Sequence, residues 1–186
     1  MITYGEESHP DLQFERSEAV AVVSNLTEHD VNYHTLSRVV KKRLAPVLEQ
    51  LYDEGKYYYH IGLTSRRDIL VGEELVKFKK SHPKVKIILF ETTFSPELSV
   101  AFDVNDLKRY RRIYNHFDIF VFHPISYGQD KNQQLNISFS KDADAIIAYD
   151  DCRSSTYLCN CNLEIRYLQT DAEMWPDEVD DLESAV

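Results

Sequence analysis

The sequence predicts an α/β protein: a single three-layer domain with a mainly parallel sheet of about six strands and helices on both faces. Three observations lead there. Short apolar runs alternate with amphipathic stretches along the chain. The runs are continuous rather than alternating, the pattern of strands buried on both faces. One run, Tyr57-Tyr58-Tyr59-His60-Ile61-Gly62, breaks at a glycine and passes through Leu63-Thr64-Ser65-Arg66-Arg67 into a helical pattern from Asp68. Parallel α/β proteins build anion sites at such junctions, where helix N–H groups lack partners and the dipole is positive.

The strands are expected at residues 19–24, 57–62, 85–91, 119–123, 145–149 and 163–168. Between them, residues 35–54 carry Leu36, Val39, Val40, Leu44, Val47, Leu48 and Leu51 at helical spacing, with Gly55 as a stop. Pro46 lies inside this helix and predicts a kink or a break. Residues 68–81 carry Ile69, Val71, Leu75, Val76 and Phe78, open on an acid, and end in Lys79-Lys80 before Pro83. Residues 106–117 place Leu107, Tyr110, Ile113 and Tyr114 on one side of a third helix, and residues 129–141 give a weaker helical pattern.

With 186 residues, one domain is the expectation. It spans 19–170, after a polar segment at 1–18 and before an acidic tail at 171–186. No apolar run is long enough to cross a bilayer, and residues 1–16 have no signal-peptide core, so a cytoplasmic protein is expected. The tail holds seven acids and no Lys or Arg. Taking these from the net charge of −10 leaves −3 on the rest. A near-neutral body suits a small anion better than tight nucleic-acid binding, which needs many phosphate contacts. The tail reads either as a solvated end or as an acidic peptide, anchored by Trp175, for a protein partner. A homo-oligomer is left open. Cys152, Cys159 and Cys161 suit reduced thiols, and no metal site is expected.

In parallel sheets ligands bind beyond the carboxyl ends of the strands, which selects the loops there. Ser24 and Asn25 offer small polar groups to a phosphate or ribose; an ordinary polar turn is the alternative. Gly62 permits close backbone approach, Thr64 and Ser65 can cap a helix or donate to phosphate, and Arg66 and Arg67 can pair with phosphate oxygens. A capped helix with two exposed arginines explains them equally. Asp150 suits a ribose hydroxyl, and Ser154, Ser155 and Thr156 suit phosphate; a hydroxyl-rich turn is the alternative. Asn136 suits a base or ribose. Catalysis is weakly marked. Asp68 and Glu73 are weak candidates, His123 suits a structural strand end better than a catalytic role, and Glu73 suits a helix-surface pair with Lys77 as well.

The run from Ile61 to Glu73, with Asp142-Ala143-Asp144 to Tyr149-Asp150 and Ser154-Ser155-Thr156, resembles the YpsA-like family of the SLOG superfamily. This is a Rossmann-like group that includes DprA and the Lonely-guy phosphoribohydrolases. The resemblance covers residues 19–169. It implies a nucleotide-related ligand such as NAD or ADP-ribose, a sensing or regulatory role, and Asp68 and Glu73 at the family's acidic positions. Two other roles stay open: a degenerate scaffold for protein–protein interaction, and a nucleotide N-glycosidic hydrolase. The chain departs from the family at Ser24-Asn25-Leu26-Thr27, where a glycine and a base are usual, and at Arg66, where a small residue is usual. The two arginines either grip a phosphate or fill its space.

Overall fold

The apolar runs assemble into one parallel sheet. The structure, a computed structural model, describes residues 2–3, 15–23, 33–91, 102–122, 136–138, 140–149 and 163–168. Its strands are β1 (Ile2–Thr3), β2 (Ala19–Val23), β3 (Tyr58–Gly62), β4 (Lys86–Glu91), β5 (Ile119–Phe122), β6 (Ala145–Tyr149) and β7 (Glu164–Leu168). They lie in the order β1-β5-β4-β3-β2-β6-β7, with every neighbouring pair parallel. The fold is a three-layer, Rossmann-like α/β domain. The six predicted strands are all present to within one or two residues. The seventh, β1, comes from the polar segment at 1–18 and pairs with β5.

Burial explains the sequence pattern. β2 and β6 sit inside the sheet and are buried at every position, so both read as unbroken apolar runs. β7 lies outside β6 and exposes Glu164. Ring contacts assign the faces. Tyr59 of β3 meets Phe78 of α2 (Arg66–Ser81), and Phe120 of β5 meets Tyr114 of α3 (Val104–Tyr114). Through the register, Val20, Val22, Ile61, Leu89 and Ile147 share that helix-covered face. The opposite face is buried too, at Ala21, His60, Ile88, Phe90 and Ile146. α1 (Tyr33–Asp53) packs beside α2, and α2 beside α3.

Of the kink or break expected at Pro46, the break does not occur: α1 runs through it. Proline lacks the N–H that would meet the carbonyl of Lys42, and Lys42 and Pro46 both lie on the exposed side of the helix, away from the core. α2 begins at Arg66, two residues before the predicted start, with Ser65, one of the two residues suited by sequence to cap it, as its N-cap. Of the weaker pattern at 129–141, residues 136–138 and 140–141 are helical, and 129–135 lie outside the described residues. No described helix is long and apolar enough to cross a membrane.

The amino edge of the sheet is fastened by two lysines. Lys56 Nζ, buried between α1 and β3, donates to the Ser17 carbonyl at 2.6 Å and to Asp144 at 2.5 Å. Lys79 reaches Asp118 at 2.7 Å, and the same carboxylate accepts from the Ile87 N–H at 2.9 Å. These contacts fix where β3, β5 and β6 start, and so where they end.

Gly72 sets the approach of α2 and α3. A Cβ there would lie 2.8 Å from Ile113 Cδ1. Overpacking a core typically costs about 1–3 kcal/mol, against about 1 kcal/mol gained in helix propensity for Gly→Ala. Ile113→Val removes the clashing methyl group. A double-mutant cycle of Gly72→Ala and Ile113→Val, read by urea unfolding, is expected to show favourable coupling of about 1 kcal/mol; strict additivity would refute the contact.

Candidate functional site

The chain winds from β2 through β3 and β4 to β5 on one side, then continues with β6 and β7 on the other. The order reverses between β2 and β6, and in open α/β sheets the crevice at such a point is the usual ligand site. Val23 and Tyr149 are the last residues of those strands. The loops that follow carry Ser24, Asn25, Asp150, Ser154, Ser155 and Thr156, all outside the described residues, as are His123, the three cysteines and the tail at 171–186.

The β3–α2 junction is described in full. Gly62 is buried and closes β3 opposite Phe90. One oxygen of the buried Asp68 carboxylate accepts from the Thr64 N–H, the Thr64 hydroxyl and the Ser65 N–H, each at 2.9 Å. The Ser65 hydroxyl accepts in return from the Asp68 N–H at 3.2 Å, completing a capping box. The chain's own carboxylate thus takes the donors that Thr64 and Ser65 would offer an incoming phosphate. Asp68 and its partners shape the loop; they do not present a reactive group.

Arg66 and Arg67 become the first two residues of α2 and diverge. The Arg66 Nε donates to the buried Asp106 at 2.7 Å and its Nη2 to Asp103 at 3.1 Å. Asp103 is the N-cap of α3; the Asp106 N–H first, then the Asn105 N–H and Arg66, holds its carboxyl below the usual range. Arg66 therefore ties the start of α2 to the start of α3. Arg67 turns the other way. Its guanidinium carbon lies 4.7 Å from the centre of the Tyr149 ring, a cation–π contact across the reversal point.

Glu73 does not face the crevice chemistry. Arg109 grips it with two hydrogen bonds, Nε to Oε1 at 2.8 Å and Nη2 to Oε2 at 2.5 Å, joining α2 to α3. Burial pushes the Glu73 carboxyl above its ordinary range, offset in part by Arg112 and Lys41. Lys77, the alternative partner that spacing offered Glu73, pairs with Glu74 instead. The Asn136 carbonyl accepts from the Ser140 hydroxyl at 2.7 Å, a local bond in the helical stretch before β6.

The structure adds one carboxylate. Glu91 ends β4 and accepts from Tyr110 Oη at 2.8 Å and Tyr114 Oη at 3.4 Å, both on α3. Burial raises its pKa, and the two phenols counter this. The sequence carried a signal for it, since Tyr110 and Tyr114 stand four apart on one helix face and reach a common point. Among the described residues, no group of three or more His, Cys, Asp or Glu is placed to hold a metal ion.

No protein-family model matches the chain, and no curated protein matches its sequence.

Two predictions test these roles. Asp68→Ala is expected to cost about 2 kcal/mol or more in urea unfolding, because three donors lose one acceptor, and Asp68→Asn is expected to recover part of it. A loss below about 0.5 kcal/mol would show that Asp68 does not organise the loop. Glu91 is raised in the folded state, so its contribution is fully present below its unfolded pKa and is lost as pH rises through the folded value. As pH falls from neutral toward 4.5, the wild type should gain stability relative to Glu91→Gln; a difference that does not change with pH would refute the shift.

Proposed function

We propose that the chain is a divergent member of the YpsA-like branch of the SLOG superfamily and binds a nucleotide-related molecule, NAD or ADP-ribose in type, as a sensing or regulatory module. The observation that carries this reading is Arg67 over Tyr149, a guanidinium and a ring brought together at the reversal point of the sheet. Arginine pairs with phosphate oxygens through two donors, and the first turn of α2 adds its dipole. In this reading Arg67 meets the phosphate. The sequence puts Ser24 and Asn25 after β2 and Asp150, Ser154, Ser155 and Thr156 after β6, outside the described residues, and the reading assigns these polar groups, with Asn136, to the same ligand.

Binding is favoured over N-glycosidic hydrolysis by the state of the two candidate carboxylates. Asp68 is occupied by three loop donors and Glu73 by a bidentate arginine. A carboxylate that steadies a developing ribosyl cation has to reach it, and neither is directed to do so.

Thermal unfolding of the full chain with ADP-ribose, NAD or AMP tests the reading. A ligand at 100 times its Kd stabilises the folded state by about 2.7 kcal/mol. At least one of the three is expected to raise Tm. Arg67→Ala should abolish the rise, whereas Arg66→Ala should lower the ligand-free Tm yet keep the rise. No shift with any ligand at saturating concentration would overturn nucleotide binding and favour a protein-interaction scaffold acting through the tail at 171–186.

A further inference from the structure

Tyr149 and Glu91 occupy one line across the sheet. Val22, Ile147, Ile61 and Leu89 form a row through β2, β6, β3 and β4. Two residues further along, on the same face, stand Tyr149 on β6 and Glu91 on β4. Three strand spacings separate them, about 14 Å. The two positions end their strands at the same edge, one beneath Arg67 and the other beneath α3.

Glu91 is built as an acceptor. Its two oxygens each take one phenolic O–H, and a carboxylate has about four lone-pair positions. One position on each oxygen is left for a further donor. Burial first, then Glu91 itself, pushes the Tyr110 and Tyr114 phenols above their ordinary range, so both stay protonated and donate. The carboxylate is thereby aimed and fixed by neutral donors, whereas Glu73 is paired with a guanidinium. Paired oxygens in one plane match the adjacent hydroxyls of a ribose, which a carboxylate also binds in dinucleotide-binding α/β folds.

We infer that Glu91, positioned by Tyr110 and Tyr114, binds the hydroxyls of a ribose carried beyond the diphosphate of the bound ligand. The assignment rests on the nucleotide reading, with Arg67 at the phosphates. It makes the ligand class a nucleoside diphosphate that bears a second ribose.

The comparison of ADP-ribose with ADP isolates this contact, because the two share the diphosphate and only the first has the second ribose. Calorimetric titration of the full chain is expected to give a lower Kd for ADP-ribose. Glu91→Gln keeps an oxygen for the tyrosines but loses an acceptor for the ribose. It should weaken ADP-ribose about tenfold or more, the scale of a hydrogen bond to a charged group, and leave ADP unchanged. Glu91→Asp, which withdraws the carboxylate by one methylene, should show the same selective loss. Arg67→Ala should weaken both ligands. If the wild type binds neither, the nucleotide reading itself fails. If it binds both and the Glu91 variants bind ADP-ribose as well as the wild type does, the ribose assignment is overturned and the nucleotide reading stands.

Discussion

The carboxyl edge of this sheet is organised by one buried carboxylate. Asp68 gathers the Thr64 N–H, the Thr64 hydroxyl and the Ser65 N–H on a single oxygen and closes the capping box with Ser65. That fixes the angle at which the chain leaves β3 and enters α2. Successive helical residues project about 100° apart, so two adjacent arginines in the first turn must part. Arg66 goes to Asp106 and Asp103 of α3, and Arg67 goes to Tyr149 of β6. A shift of one residue in the start of α2 would turn each arginine by about 100° and dissolve both contacts.

The same constraint decides where an anion can find donors. A helix N-terminus attracts negative charge, and the chain supplies its own at both helix starts. Asp68 does so for α2, and Asp103 with Asp106 does so for α3, each in a capping box. Local stability is thereby secured without a ligand. The caps direct Arg67 toward β6, and the proposed phosphate contact accordingly lies at a guanidinium at the reversal point rather than on the loop backbone.

The fold was legible because burial on both faces writes itself as continuous apolar runs. β2 and β6, buried throughout, are the clearest cases. β1 was not, since two residues in a polar stretch make no run at all. The start of α2 was misplaced because an acid followed by apolar residues reads as a helix opening, whereas in this chain the acid is the third helical residue and Ser65 is the cap. The site was less legible for a different reason. Whether a charged residue serves a ligand or the fold depends on what faces it, and the partners are far away in sequence. Arg66 and Asp106 are 40 residues apart, and Glu73 and Arg109 are 36 apart. Local spacing offered Glu73 only Lys77, and that lysine went to Glu74.

A guanidinium paired with a carboxylate offsets its charge, and neutral hydroxyls that donate to it do not. Arg109 does the first to Glu73 with two N–H groups from one planar fork, and the pair joins α2 to α3. Tyr110 and Tyr114 are the neutral donors to Glu91, with single O–H groups from successive turns of α3. The two carboxylates share a raised pKa from burial, and that shift alone would rank them equally. The charge of the partner separates them, and so does their place: Glu91 ends a strand at the carboxyl edge of the sheet, while Glu73 lies within α2 and faces another helix.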